Sequence, residues 1–256
     1  TNTDLEGQIK LVEDFIQKEV AAICISPIDP DGMVPILQQA HEAGIPIIIT
    51  DGRLNADFPY TTISTNDKEF GALSAKKMLE FMGDEGGKVA IISYVPGSVQ
   101  EGGREEGFRE EMAKYDNVEI IGTYFGEGDR NRTYDITSDV LTANPDLKAF
   151  FSTNEGSSTG AILALTEFCQ STDERKVCIA LDPNEEVLKA LEKGYISGCL
   201  AQNPFYIGYT GVESAVKVLD GETIEKAIES PVVWVDIDNV NDEEVQNLLN
   251  PKEVIQ

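Results

Sequence analysis

Ile45-Pro46-Ile47-Ile48-Ile49-Thr50-Asp51, IPIIITD, is the stretch that decides how this chain folds. A short apolar run entered through Pro46 reads as a buried strand, and Thr50, Asp51 and Gly52 end it abruptly. The same punctuation recurs in VCIALD, which stops on Asp182, and in AFFSTN, which stops on Asn154. Buried strands that end on hydrogen-bonding side chains suit a polar ligand, because open parallel α/β sheets bind outside the carboxyl ends of their strands.

Outward from that stretch the pattern alternates. Residues 4–19 carry a helical apolar period, 20–26 a strand, 34–43 a helix with Gly44 as its stop, and 61–64 a short strand. Asn66 or Asp67 caps a helix to residue 81. Strands then follow at 89–94, 118–125, 149–153, 177–181, 196–201 and 232–237. Helices lie at 103–114, 132–142, 157–169, 185–193, 207–219 and 241–249. Strands alternating with helices of this length predict an α/β protein with parallel sheets covered on both faces. There are too many strands for one compact sheet, so two lobes of like architecture are expected.

Composition narrows the function. The 256 residues include 46 acidic and 20 basic side chains, a formal charge of −26, which argues against nucleic acid as a partner. No apolar run approaches the roughly 18 residues needed to cross a bilayer. Cys24, Cys169, Cys178 and Cys199 have no metal-ligand spacing; Cys24, Cys178 and Cys199 lie in apolar runs and are expected to be buried, and a disulfide among the four stays open. One histidine, His41, cannot assemble a His-cluster metal site or a Ser-His-Asp triad, so neither metal nor cofactor is expected. Asp51 with Asp182 could mimic a glycosidase pair, yet nothing else suggests bond cleavage, and the expectation is a binding protein rather than an enzyme.

Several segments together resemble the type I periplasmic sugar-binding proteins, the ribose-binding branch of the solute receptors of ABC importers. They are AGIPIIITD (43–51), REEGF (104–108), LTANPDLKAFFSTNEGSSTGAILAL (141–165), IALD (179–182) and AQNPFYIGYTGVESAVKVLDGE (201–222). Each is weak alone, but the set stands in the family's order over nearly the whole chain. The resemblance implies two parallel-sheet αβα lobes joined by three crossovers, residues 1–65 with 203–233 and 66–202 with 234–256. It implies hinge closure on a small carbohydrate, delivery to an ABC permease, a monomer, and a place outside the cytoplasmic membrane of a bacterium, in the periplasm or as a surface lipoprotein. It also implies a missing opening strand-helix-strand, so that residues 1–256 would be a fragment whose first lobe exposes a sheet edge and an apolar face.

By the same resemblance, Asp51, Asn154, Asp182 and Gln202 would bind the ligand, since carboxylates and amides match sugar hydroxyls. For Asp51 and Asp182 the plainer alternative is a turn or helix-cap carboxylate, and for Asn154 and Gln202 a loop-fastening amide. Arg53, Tyr94, Gln100 and Phe205 are further lining candidates. Gly52, Gly102 and Gly128 stand where the ribose-type pattern has large side chains, which makes ribose itself a poor fit and leaves a bulkier sugar or an amino-substituted solute open. Two other functions share such a core: the effector domain of a LacI-type repressor, and a sugar-sensing domain for a chemoreceptor or histidine kinase.

Overall fold

The computed structural model describes residues 4–172 and 174–251. In chain order it contains α1 (Leu5–Gln17), β1 (Ile23–Ile25), α2 (Val34–Glu42), β2 (Ile47–Thr50), β3 (Thr61–Ser64) and α3 (Asp67–Met82). A 3-10 turn precedes β4 (Gly87–Ser93), α4 (Val99–Met112), β5 (Val118–Phe125), α5 (Arg130–Ala143), β6 (Leu147–Ser152) and α6 (Glu155–Thr172). There follow β7 (Val177–Leu181), α7 (Glu185–Glu192), β8 (Gly198–Ala201), α8 (Pro204–Leu219), β9 (Ala227–Glu229), β10 (Val233–Val235) and α9 (Glu243–Leu249).

Two compact units result. One takes the chain up to residue 65 together with 203–231; the other takes 66–202 together with the chain from 232 onward. The backbone therefore passes from one unit to the other three times.

The first unit holds a parallel sheet in the order β1-β2-β3-β9. Its centre is the IPIIITD strand, with Ile47, Ile48 and Ile49 all fully buried. Ile47 and Ile49 join Val12, Met33 and Leu37 on one side, while Ile48 joins Ile63, Ile207 and Ala215 on the other. Both faces of the strand are covered, which is why its sequence is continuously apolar rather than alternating. Helix α8 leaves Tyr209, Val212 and Val216 exposed, and among the described residues β1 pairs only with β2.

The second unit holds six strands in the order β10-β8-β7-β6-β4-β5. Phe150 and Phe151 of β6 point to opposite faces. Phe150 packs with Val140, Leu165 and Cys178, and Phe151 stacks on Phe108 with ring centroids 4.4 Å apart. Helices α3 and α4 meet through glycines. A Cβ at Gly71 would lie 1.9 Å from the Arg104 carbonyl oxygen, and one at Gly107 1.9 Å from that of Lys68. The contact is backbone against backbone.

Four expectations are corrected. The last strand, β10, runs antiparallel to β8, with Val233 opposite Ala201, so the second sheet is mixed. The helix before it, α8, packs in the other unit, so no crossover on this sheet dictates a parallel direction. Helix α4 starts at Val99 rather than Gly103, because Gly102 and Gly103 sit inside it. Strand β9 has no counterpart in the sequence reading: it is three residues long, and its ends are exposed. Cys24 is exposed rather than buried; all four cysteines are free thiols, with Cys178 and Cys199 pushed up to about 12 by burial.

Candidate functional site

Asp51 and Asp182 share an unusual backbone. Each follows the last residue of a buried strand and adopts a left-handed conformation, φ 47° at Asp51 and 58° at Asp182. The left-handed region costs a residue with a Cβ roughly 1–2 kcal/mol, less for Asp, which tolerates it best after Gly and Asn. Both nevertheless keep their backbone N–H paired to the neighbouring strand, Asp51 to Ile63 O at 2.8 Å and Asp182 to Leu200 O at 2.9 Å. The chain thus turns sharply without giving up the ladder bond. Strain of this kind clusters at functional sites; Glu19 and Glu127 adopt it too, at positions that do not directly follow a strand.

In the first unit, Ser26 Oγ donates to the Asp51 carbonyl at 3.0 Å, tying the ends of β1 and β2 together. Gly52 is buried, and a Cβ there would meet the Pro27 ring at 3.0 Å, so this position has no room for a side chain without a shift of Pro27. Arg53 is exposed beyond it. Phe205, in the first turn of α8, is also exposed and stacks on Tyr209 at 5.9 Å.

In the second unit the remaining candidates gather at the carboxyl ends of the strands. Gln202, just past β8, donates from Nε2 to both Asp182 oxygens at 3.0 and 3.2 Å. Its Oε1 accepts from Arg104 Nη2 at 3.4 Å. Arg104 is only 6% exposed; its Nε donates to Asp67 Oδ1 at 3.0 Å, its Nη1 to Thr153 O at 2.8 Å, and its guanidinium lies over the Phe70 ring. Burial pushes the Asp182 carboxyl up from its ordinary range, opposed by the Gln202 amide and the Arg104 charge.

Asn154 follows β6 and works locally as well. Its Oδ1 accepts from Ser157 N at 2.8 Å, capping α6, and its Nδ2 donates to Glu101 Oε1 at 3.0 Å. Glu101 also accepts from Ser98 Oγ. Gln100 is half-buried in the same first turn of α4. Tyr94, after β4, is half-buried too, and a Cβ at Gly128 would come within 2.7 Å of its ring. The aromatic ring therefore occupies the space that a side chain at 128 would claim. Gly156 brings Asn154 and Gly128 together, its Cβ position lying 3.7 Å from each.

The structure thus clusters Tyr94, Asn154, Asp182 and Gln202 with Glu101 and with Arg104, which was not among the binding candidates of the sequence. Arg104 was legible only within the REEGF motif, while Glu101, next to Gln100, was legible as a side chain that could fill the space left by the glycines. The signal of Arg104 was faint: an arginine between Gly-Gly and Glu-Glu-Gly looks like an exposed charge until the glycines are seen to press two helices together. Among the described residues no group of three His, Cys, Asp or Glu side chains forms a metal-holding set, and no helix is long and apolar enough to cross a membrane.

Residues 1–223 match the family model described as periplasmic binding protein domain. The chain belongs to the periplasmic binding protein family. As a member it is a solute-binding protein rather than an enzyme. This binding protein is 26% identical over 229 residues to the ribose import binding protein of Bacillus subtilis, covering 90% of the present chain and 73% of that one. It is 26% identical to the D-allose-binding periplasmic protein of Escherichia coli, over 88% of its own length and 73% of the other's. Among solved structures, an ABC transporter solute binding protein from Agrobacterium vitis with bound D-fucose superposes with a TM-score of 0.86 at 32% identity, over 97% of this chain and 86% of that one.

Proposed function

We propose that this binding protein is the extracytoplasmic receptor of an ABC importer and that its ligand is a small carbohydrate. The strand-end carboxylates Asp51 and Asp182 are acceptors for sugar hydroxyls. Gln202 and Asn154 add donor and acceptor pairs, and Tyr94 offers an apolar face to the ring C–H groups. Arg53, Gln100 and Phe205 line the same ligand. Similarity to proteins named for ribose and allose, and to one holding D-fucose, supports a monosaccharide-sized ligand. The observation that carries the reading is the pair of strained aspartates that keep their ladder bonds. Such geometry costs stability, and a ligand contact accounts for its being kept twice.

The ligand is not expected to be ribose. Tyr94 fills the space at Gly128, and Gly102 has nothing within 4 Å of its Cβ position, so the lining differs in shape from the ribose-type pattern. The carboxylates Glu101 and Asp182, each already accepting from amide or hydroxyl donors of the protein, favour a sugar rich in donors. A thermal-shift panel of aldopentoses, aldohexoses, deoxyhexoses, ketohexoses and amino sugars tests this. At a hundredfold excess over Kd, the true ligand stabilises by about 2.7 kcal/mol, which reads as roughly 5–10 °C in Tm. A panel in which no carbohydrate moves Tm would overturn the proposal.

A further inference from the structure

We propose that Arg104 is a positioning residue, which fixes the orientation of Gln202, and through it Asp182, from a buried guanidinium anchored on α3 and β6. The inference rests on the carbohydrate reading only for what Asp182 finally meets; the relay itself is a property of the ligand-free protein.

A guanidinium offers five N–H donors in a rigid fork and no acceptor. In Arg104 the fork is distributed over three elements: Asp67 at the first residue of α3, the carbonyl of Thr153 at the end of β6, and Gln202 Oε1 at the end of β8. Thr153 is the residue before Asn154, and its own Oγ1 donates to Ser93 Oγ at 3.0 Å. One side chain therefore braces the strand ends that carry both Asn154 and Gln202.

A glutamine side chain can present either its oxygen or its NH2 in a given direction. Beside a group that only donates, the oxygen must face Arg104, which sends the NH2 toward Asp182. There it donates to both carboxylate oxygens. Without the guanidinium the amide loses its bias, and the flipped form sets oxygen against oxygen. Asp67 neutralises the buried cation, and the Phe70 ring at 5.2 Å covers its face, so the arginine is held in place rather than merely tolerated. The charged and titratable groups acting on Asp182 are Arg104 from α4 and Glu155 from α6, with the Cys199 thiol of β8 near it; Arg104 alone of these is cationic.

The test compares wild type with Arg104→Lys, Arg104→Met and Gln202→Leu. In ligand-free protein the Asp182 carboxyl carbon is followed by NMR against pH. Arg104→Met and Gln202→Leu are expected to move its titration upward, because each removes an interaction that favours the carboxylate. Arg104→Lys keeps the charge but not the fork that orients the Gln202 amide, and is expected to titrate between wild type and Arg104→Met. A compact ammonium cannot span three acceptors on three separate elements, so affinity for the best sugar of the panel is expected to fall between roughly ten- and a hundredfold in both arginine variants. A general loosening would not grade the Asp182 titration in the order wild type, Arg104→Lys, Arg104→Met. Should Arg104→Met fail to fold, the other two variants carry the comparison. The relay is overturned if Asp182 titrates identically in Gln202→Leu and wild type, or if Arg104→Lys binds as tightly as wild type. A sugar panel without a hit overturns the carbohydrate reading and leaves the titration to decide the relay.

Discussion

Asp182 combines a left-handed backbone with a carboxyl whose folded-state pKa lies above its ordinary value of 3.8, burial being the larger cause. For an acid raised in the folded state, the sign is fixed. Its contribution to stability is fully present below the unfolded pKa and is lost as pH rises through the folded one. At neutral pH the ionised Asp182 therefore opposes folding. Asp182→Asn tolerates the same φ, removes the charge and leaves one of the two oxygens that accept from Gln202 Nε2. It is expected to raise Tm of the ligand-free protein at pH 7, with the gain shrinking toward pH 4, and to weaken carbohydrate binding by about 2 kcal/mol. Calorimetry at both pH values checks the first part; a variant less stable than wild type at pH 7 contradicts it. Asp51 and Asp182 were legible in the sequence because an apolar run that stops on a carboxylate is a local pattern. Arg104 was not, since its role depends on Asp67, Thr153 and Gln202, which lie 37, 49 and 98 residues away.

Helix α4 shows what periodicity can and cannot reveal. Strands β5 and β7 fall on the residues that their apolar runs predict, 118–125 and 177–181, because a buried strand writes its length into hydrophobicity. The start of α4 was hidden by Gly102-Gly103, which reads as a break. In the fold the two glycines differ. Gly103 lies 3.0 Å, measured from its Cβ position, from Asp67 Cβ, whereas Gly102 has open space around it. Gly102→Ala is therefore expected to stabilise the protein by about 0.5–1 kcal/mol, the ordinary gain of alanine inside a helix. Gly107→Ala places its methyl against the Lys68 carbonyl and is expected to cost about 3 kcal/mol or more, with backbone on both sides unable to yield cheaply. Urea unfolding of the two variants measures both, and equal effects would contradict the backbone contact between α3 and α4. The direction of β10 was equally out of reach, since an apolar triplet states that a strand exists and not which way it runs.

At the scale of the whole molecule, charge outweighs pairing. The formal charge is −26, and many of the ion pairs, such as Lys10–Glu6 and Arg132–Glu127, are exposed and individually weak. Screening should relieve self-repulsion more than it weakens these pairs, so raising NaCl from 10 to 300 mM is expected to lift Tm by a few degrees. A fall in Tm with salt would show that surface pairing dominates. The division into units was less plainly written than their secondary structure, because no local signal tells residues 203–231 to rejoin the first 65; that decision belongs to packing, as when α8 covers Ile48 and β9 extends the sheet beyond β3. The threefold passage of the chain has a consequence for synthesis on the ribosome. The first 65 residues emerge early but cannot complete their sheet until β9, at residues 227–229, has been translated. At about 5–20 residues per second, that leaves the residues up to 65 waiting for roughly ten seconds or more. Meanwhile most of the later-encoded unit, 66–202, is already available to fold, so the order in which the units mature is expected to reverse the order in which they are begun.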